Sequence, residues 1–390
     1  MPLLEVEDLR IIDCDTHLNE APDLWTSRAP AKYKERVPHI ETVNGQPTWI
    51  VDGAELGFAR AAGVVNRDGQ RVANWESKGK GLDWIHPAAY DNTERIKLMD
   101  ESGVYAQVLF PNVIGLGGQT VNRIIKDPEL RRACVEIYND AHVERFEESD
   151  GRLIGMALMP AWDVAACVKE AQRVAALGLR GINMTVDPSD LGSPDLGSRV
   201  WDPLWEVCAD RGLPVHFHIG SSNSNMDFHL HGYWPSIHPH VQPAIGTTML
   251  FINSAKLLIN ATLSGMFDRF PTLQMVLAES GIGYIPFMLD AMDWELLENA
   301  PEQYAEMTKK PSEYFRSNFY ATFWFESNQG DLQHLVDKIG DDRILFETDF
   351  PHPTCLYPAP LDAMADRMNS LRPESRRRIM GENAAKLYRL

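Results

Sequence analysis

The sequence predicts an α/β protein built as a single (β/α)8 TIM barrel of 390 residues with a lid-like insertion. Eight short apolar runs alternate with longer amphipathic stretches, and eight parallel strands are the number that closes such a barrel. Hydrophobic residues make up 44% of the chain, which is enough for one large core. We therefore treat residues 1–390 as one domain, with strands expected at residues 10–17, 105–112, 154–160, 178–185, 213–220, 273–280, 319–326 and 344–351.

Helix patterns of the crossover type separate several of these strands. Proline stands near the start of two patterns, at Pro128 and Pro203, and glycine follows the end of two, at Gly178 and Gly212. Apolar residues recur at helical spacing between these signals. The helices are expected at residues 127–149, 163–177 and 201–211.

Two stretches do not fit the alternation. Residues 21–89 are rich in Trp, Pro and Gly, and QPTWIVDGAELG within them indicates a hairpin, so we interpret this stretch as an insertion over the barrel mouth. Residues 221–243 form a second irregular stretch that follows a strand, where barrel enzymes build their pockets. It carries four histidines, of which His238 and His240 are the favoured candidates to face a metal or substrate because Pro239 restricts the backbone between them.

Charge and cysteine usage limit the compartment and the partners. The net charge of −18 opposes binding to nucleic acid or to an anionic membrane, so a small-molecule substrate is the expected partner. The N-terminal residues lack the basic region of a signal peptide, and no apolar stretch is long enough to span a bilayer. The five cysteines show no CxxC spacing, which favours free thiols and a cytoplasmic location.

Potential metal ligands stand at the C-terminal ends of four predicted strands, the ends where barrel enzymes place their sites. Asp15 and His17 are two residues apart, and so are His216 and His218, which places each pair on one side of its strand. Glu279 ends the sixth strand, and Asp349 ends the eighth within ETDFPHP. Mixed imidazole and carboxylate ligands fit a divalent ion, with zinc favoured and manganese or iron also compatible.

Each signal also has a structural explanation. The histidines of LPVHFHIG can be core residues that bond to backbone carbonyls, and Asp349 can be a turn residue. Glu279 can be the acidic residue that begins the next helix. The coincidence of suitable groups at four separate strand ends favours the metal site.

Four segments carry a family resemblance over nearly the whole chain: DCDTHLNE, WDPLWEVCADRGLPVHFHIG, SGMFDRFPTLQMVLAESGIGYIPF and ILFETDFPH. In this order they resemble the amidohydrolase-related family, which includes aminocarboxymuconate-semialdehyde decarboxylase and aromatic acid decarboxylases. The resemblance implies a divalent metal held by Asp15, His17, His218 and Asp349. His218 is preferred to His216 because it occupies the last position of its strand.

The chain departs from the family at two of these positions. The decarboxylases carry a histidine, their proton handler, where this chain has Glu279, and a His or Glu where it has the shorter Asp15. Glu279 can act as a general acid or base, or it can ligate the metal. We favour ligation, because the short Asp15 leaves coordination space that a longer carboxylate fills.

The expected chemistry follows from these groups. Asp349 can accept the proton of a metal-bound water, while Glu279, His216 or His352 donates a proton to the leaving group or carbanion. Aromatic residues after the seventh strand and in the irregular stretches suit an aromatic or apolar acyl substrate. The predicted substrate-binding residues are Phe323, Trp324, Trp234, His238 and His240, with Phe325 and the insertion near Trp49, Trp75 and Trp84 completing the walls.

The sequence thus predicts hydrolysis or nonoxidative decarboxylation of a small carboxylic substrate. One alternative is an oxidative enzyme with two metal ions and Glu279 as the extra ligand. Another is an inactive barrel that serves as the scaffold of a catalytic partner. The resemblance also suggests a homo-oligomer, a homodimer or larger. Metal content separates these hypotheses, since a scaffold should bind no ion and an oxygen-activating site two.

Overall fold

The computed structural model describes residues 8–326 and 331–390. A parallel barrel and a small antiparallel sheet account for its strands. Short strands suffice in the barrel because barrel strands such as β1, β5 and β10 are buried on both faces and read as nearly continuous apolar runs. The strands are β1 (Ile12–His17), β2 (His39–Val43), β3 (Gln46–Val51), β4 (Ala54–Phe58), β5 (Ala106–Phe110), β6 (Leu153–Gly155), β7 (Ala157–Leu158), β8 (Ile182–Asn183), β9 (Val215–His218), β10 (Met275–Ala278), β11 (Phe319–Phe323) and β12 (Ile344–Phe346).

Consecutive barrel strands pair in parallel in the order β1, β5, β6 and then β7 to β12. A parallel bridge between Thr16 and Phe350 joins the last segment to β1 and closes the ring. The third strand is interrupted at Met156, which separates β6 from β7. The predicted (β/α)8 barrel is confirmed, with strands shorter than the apolar runs.

Helices surround the barrel and follow the expected punctuation. Asp127 caps α3 with its side chain, Asp163 caps α4, and Gly212 ends α5 in the left-handed conformation. The helices are α1 (Asn92–Ser102), α2 (Gln119–Ile124), α3 (Pro128–Glu148), α4 (Val164–Ala176), α5 (Asp202–Arg211), α6 (Asn223–His231), α7 (Gln242–Leu263), α8 (Met266–Arg269), α9 (Ile285–Asn299), α10 (Pro301–Glu306), α11 (Pro311–Asn318), α12 (Leu332–Ile339), α13 (Pro360–Asn369), α14 (Pro373–Arg377) and α15 (Asn383–Tyr388).

Two apolar layers form the main core. The inner layer fills the barrel with alternate strand residues such as Val108 and Val276, and the C-terminal helix α15 adds Leu387 and Tyr388 to it. The outer layer packs the opposite faces of the strands against the crossover helices. This alternation decides which side chains of a strand can reach a site inside the barrel.

The insertion contains the expected hairpin, and β2 extends it to a three-stranded antiparallel sheet. Trp49 is buried against Trp25 in a separate apolar cluster with α3, so the expectation that Trp49 helps to wall the pocket is wrong. The insertion also bonds to the segment after the last barrel strand, since Val64 N donates to Pro351 O.

The second irregular stretch is shorter than predicted. Of residues 221–243, Asn223–His231 form α6, and α7 begins at Gln242. Pro235 and Pro239 lie in the residues that connect these helices. Proline has no backbone N–H, and at these positions no helical hydrogen bond is lost.

Candidate metal centre and active site

Five of the predicted residues come from four strand ends. Asp15 and His17 end β1, where the pairing register with β5 shifts between Asp13 and Thr16. His218 is the last residue of β9, Glu279 directly follows β10, and Asp349 lies just beyond β12. All five are nine-tenths or more buried. We call Asp15, His17, His218, Glu279 and Asp349 the acid–imidazole cluster.

The cluster brings ligand atoms into one small volume. Asp15, His17, His218 and Glu279 each place such an atom within 4.8 Å of those of the other three. His218 Nε2 lies 3.1 Å from His17 Nε2 and 3.2 Å from Asp15 Oδ2. Glu279 Oε2 is 3.5 Å from His218 Nε2, and Asp349 Oδ1 is 3.6 Å from His17 Nε2.

The proton positions on the two imidazoles indicate what this volume can hold. His218 Nδ1 donates to Ile219 O at 2.7 Å, and His17 Nδ1 faces Pro111 O at 3.3 Å. In this tautomer both Nε2 atoms carry lone pairs, and these point at each other and at a carboxylate. Among the described residues neither oxygen of Asp15 has a hydrogen-bond partner. A convergence of buried acceptors is stabilised by a cation, so these residues fit a divalent ion.

The pKa values of the cluster reflect the same crowding. Burial raises the pKa of Glu279 well above its usual value, and the charges of Asp349 and Asp15 raise it further. Burial also raises the pKa of Asp15, against the opposing effect of His218. Burial, together with His352 and His218, holds the pKa of His17 well below its usual value. A bound divalent ion would lower the pKa values of Glu279 and Asp15, because its positive charge favours the ionised carboxylates.

Two acidic residues of the cluster have an unusual backbone conformation. Glu279 has a φ of 51° and Asp349 a φ of 56°, which is the left-handed region that residues with a Cβ seldom adopt. Each such residue costs on the order of 1–3 kcal/mol and is found where a site demands its placement. The backbone therefore turns at both positions in a way that a regular strand or helix start would not require.

Asp349 lies beside His352, which ends a hydrogen-bond chain whose direction can be assigned. Asn19 Nδ2 donates to Arg60 O, and Asn112 Nδ2 donates to Asn19 Oδ1 at 2.9 Å. Asn112 Oδ1 is therefore the acceptor that faces His352 Nε2 at 2.8 Å, so this nitrogen carries a proton. His352 Nδ1 lies 3.1 Å from Asp349 Oδ1. The two groups are thus neighbours, while Asp349 Oδ1 has no hydrogen-bond partner among the described residues.

The predicted catalytic role of His216 is wrong. Its Nδ1 faces Ile182 O at 3.0 Å, and its Nε2 faces the Tyr388 hydroxyl at 2.8 Å. Both ring nitrogens of His216 therefore bond to groups deeper in the barrel, on the side where α15 packs, and neither is free to act on a substrate. His216 therefore corresponds to the alternative of a core histidine.

The aromatic and histidine residues predicted to bind substrate are dispersed. Phe323 belongs to the outer core layer, facing the helices, and so cannot line a site inside the barrel. Trp324 is buried and contacts Phe325 edge to face at 4.6 Å. Trp234 is exposed, and neither His238 nor His240 is among the described groups that could hold a metal. Both of these histidines are exposed, and His240 stacks on Trp75 of the insertion at 5.4 Å.

Glu347 is a buried acid that the sequence analysis missed. Its Oε2 accepts from Glu279 N at 3.3 Å, and its Oε1 has no hydrogen-bond partner among the described residues. Burial raises its pKa well above the usual value, and Asp15 raises it further. Its position two residues before Asp349 was the available signal, because the same spacing had identified Asp15 and His17.

A buried polar network beneath the cluster was also missed. Both oxygens of Asp13 accept hydrogen bonds, from Thr348 N at 2.9 Å, from Thr348 Oγ1 at 2.6 Å and from Gln107 Nε2 at 3.0 Å. Arg95 donates to Gln107 Oε1 at 3.1 Å and to the carbonyl oxygens of His17 and Ala88. The network fixes the backbone beside His17 and Asp349.

Comparison with known proteins places this site in a family. The family described as Amidohydrolase matches residues 12–390, so the chain belongs to it. Gamma-resorcylate decarboxylase from Polaromonas sp. JS666 is 27% identical over 316 residues, covering 76% of this chain and 86% of that protein. The chain is accordingly a metal-dependent enzyme of the hydrolase or carboxy-lyase type.

Solved structures agree with the barrel. An amidohydrolase from Mycobacterium avium subsp. paratuberculosis K-10 superposes with a TM-score of 0.74 at 23% identity, covering 98% of this chain and 99% of that one. A dihydroxybenzoic acid decarboxylase from Polaromonas sp. JS666, with bound manganese and 2-nitroresorcinol, gives a TM-score of 0.61 at 20% identity, covering 98% and 97%. Within the described residues, no helix is both long and apolar enough to cross a membrane.

Proposed function

We propose that this protein is a nonoxidative decarboxylase that removes CO2 from an aromatic carboxylic acid with the help of one divalent metal ion. The convergence of acceptor atoms from Asp15, His17 and His218 inside the barrel is the observation that carries the proposal. Support for decarboxylation comes from relatives that act on dihydroxylated benzoic acids. Manganese is the proposed ion, in place of zinc, because a structural relative holds manganese.

Asp15, His17, His218 and Glu279 would hold the metal, with Asp349 at the edge of the same volume. When bound, the ion supplies positive charge that anchors the oxygen atoms of an anionic substrate. Burial of these side chains excludes water from the reacting carbon, which strengthens each electrostatic contact.

The Asp349–His352 pair would supply the proton. In a decarboxylation the ring carbon that bears the carboxylate accepts a proton from Asp349, and the bond to the carboxylate carbon then breaks. The bonding electron pair returns to the ring and CO2 leaves. The Nδ1 atom of His352 can then take a proton from solvent and pass it to Asp349 through the 3.1 Å contact between them, which restores the acid for the next turnover. Thr354 Oγ1 donates to Asp349 Oδ2 at 2.7 Å and fixes the orientation of the carboxyl group.

Hydrolysis is the second candidate, because Glu279 stands where the resembling decarboxylases carry a proton-handling histidine. In hydrolysis the same Asp349 would accept a proton from the attacking water instead of delivering one. The two reactions therefore differ in the direction of proton transfer at one carboxyl group.

One metal ion is expected in either case, although His17, Asp349 and His352 form a second group with ligand spacing. His352 Nε2 bonds to Asn112 Oδ1, His352 Nδ1 faces Asp349 Oδ1, and the ring stacks on His17 at 3.7 Å, so neither ring nitrogen is open to a second ion. We also propose a cytoplasmic location, which is consistent with five unpaired cysteines that are all buried.

A substrate panel in deuterated water tests the proposal. The metal-depleted protein, reloaded with Mn2+, is incubated with mono- and dihydroxylated benzoates and with aryl esters and amides, and CO2 and products are measured. Decarboxylation predicts CO2 release together with one deuterium at the carbon that lost the carboxylate. Ester or amide cleavage without CO2 from any benzoate would show hydrolysis and contradict the proposal.

A further inference from the structure

A cleft opens at the end of the barrel opposite to the acid–imidazole cluster. Its lining includes Pro214, Gln274 and Arg343, which directly precede β9, β10 and β12, whereas the cluster lies at the C-terminal ends of the strands. The cavity has a volume of about 310 Å3, which is within the range of small-molecule sites. We call it the basic cleft and define it by three cations and three apolar or aromatic side chains: Arg343, Lys386, Arg389, Leu213, Tyr320 and Leu387.

The charge of the basic cleft is opposite to that of the chain. Its described lining contains three cations and no acid, although the chain has 55 acidic residues against 37 lysines and arginines. Two further cations stand close by. Lys309 Nζ donates to Ser317 Oγ of the lining at 2.9 Å, and the pKa of Arg389 is lowered by burial and, further, by the charge of Arg180. Such a local excess of positive charge attracts anions.

The three cations of the lining are only partly neutralised by the protein. Lys386 is exposed and forms no ion pair within residues 8–326 and 331–390. Arg389 donates to the carbonyl oxygen of Gly212, which carries no net charge. Asp342 Oδ2 lies 3.4 Å from Arg343 Nε, but the Asp342 side chain is 52% exposed and forms no hydrogen bond with this nitrogen. Three cations against one acid leave an excess of two positive charges.

Contacts within the protein hold Arg343 in place. Its Nη1 donates to Gln274 Oε1 at 3.3 Å, and Gln274 Nε2 donates to the carbonyl oxygens of Leu273 at 3.2 Å and Ser317 at 3.0 Å, which fixes the orientation of the amide. The guanidinium carbon of Arg343 lies 5.1 Å from the centroid of the Tyr320 ring, within the range of a cation–π contact. A ligand therefore meets an arginine that is already ordered, and ordering it costs little binding free energy.

The uncharged part of the cleft is apolar. Leu213 and Pro214, from the segment before β9, are buried beside Leu387 of α15. Leu387 and Tyr320 also belong to the inner core layer of the barrel, so this wall is continuous with a packed core. An occupant that is only a charge would leave this wall in contact with water, whereas an apolar body would cover it.

We propose that the basic cleft binds a small organic dianion, which has an apolar body and carries either one phosphate group or two carboxylates. Two negative charges balance the excess of two positive charges, and the body covers Leu213 and Leu387. A volume of this size holds on the order of ten non-hydrogen atoms. The cleft lies at the other end of the barrel from the acid–imidazole cluster, so the proposal does not depend on the reaction proposed above.

Titration calorimetry of the Mn2+-loaded protein tests the proposal with four probes: phenyl phosphate, phthalate, inorganic phosphate and phenol. At about pH 8 a phosphate monoester is a dianion. Phenyl phosphate or phthalate should bind saturably, and the tighter of the two identifies the head group. Inorganic phosphate lacks the apolar body and phenol lacks the charge, so both should bind more weakly.

Lys386→Glu locates the binding. The variant reverses one charge of the cleft, so the affinity for the preferred dianion should fall by ~10-fold or more. Lys169 is exposed on α4, and Lys169→Glu makes the same change of charge without affecting the cleft. Any binding at the metal site is retained in both variants, so the difference between them measures the cleft. Equal affinity in Lys386→Glu and the wild type, or phenol binding as tightly as both dianions, would overturn the proposal.

Hydrogen exchange of the wild-type protein gives a second measurement that does not depend on the folding of a variant. The preferred dianion should slow amide exchange in α15 and in residues 212–215, which form one side of the cleft. Slower exchange confined to the segments that follow β1, β9 and β12 would place the probe at the acid–imidazole cluster and contradict the proposal.

Discussion

At the scale of single residues, the site depends on where two imidazoles keep their protons. The backbone carbonyls of Ile219 and Pro111 hold the Nδ1 protons of His218 and His17. This leaves both Nε2 atoms as ligands, and such contacts to the far ring nitrogen orient metal-binding histidines in general. The two β-strand ends therefore supply ligands that are already oriented.

Glu279→Gln separates the ligand role of Glu279 from an acid–base role. An amide oxygen is a poorer ligand than a carboxylate, so we expect metal affinity to fall more than ~10-fold, measured by equilibrium dialysis and elemental analysis. Glu35 is exposed, and Glu35→Gln should leave affinity unchanged. Full metal content with lost turnover would assign acid–base catalysis to Glu279 instead.

His352→Gln tests the proton pair. The variant removes the imidazole beside Asp349 that is proposed to return a proton to it, so kcat should fall by ~10²–10⁴ while metal content stays at the wild-type level. The exposed His334 provides the control, since His334→Gln should change neither quantity. Wild-type turnover in His352→Gln would exclude the pair as the proton source.

At the scale of elements, Arg95 holds β1, β5 and the end of the insertion together through its three acceptors. Arg95→Leu leaves these acceptors buried and unpaired, so we expect the free energy of unfolding to fall by about 3–5 kcal/mol in urea titrations. Arg132→Leu, on the exposed side of α3, should change it by less than ~0.5 kcal/mol. Equal stability of the two variants would show that the network does not stabilise the barrel.

The pair of His216 and Tyr388 couples β9 to α15 and makes stability depend on pH. Burial lowers the pKa of His216 to about 4. Because the unfolded chain binds this proton more readily, stability is present above pH ~6.5 and is lost as the pH falls toward 4, by up to roughly 3 kcal/mol. His216→Gln should reduce this loss in urea titrations at several pH values, whereas His334→Gln should retain it. An unchanged pH dependence in His216→Gln would contradict this role.

At the scale of the whole molecule, the sequence predicted the elements better than the orientation of side chains. Strand positions followed from apolar alternation, and the cluster followed from strand ends because parallel strands bring those ends together. Phe323 was misplaced because its direction depends on strand parity: Thr322 bonds to Leu277 O inside the barrel, which turns Phe323 toward the helices. Asp13 was not predicted because its partners Gln107 and Thr348 are distant in sequence, and Arg95 was not predicted because an arginine within a helix is usually exposed.

The metal content of the wild-type protein tests the central claim most directly. After expression with added Mn2+ and exhaustive dialysis, elemental analysis should find one divalent ion per folded chain, and His17→Ala should lose it because the variant removes a ligand at the centre of the cluster. A folded wild-type protein that retains no divalent ion, or a His17→Ala protein that retains a full one, would contradict the account.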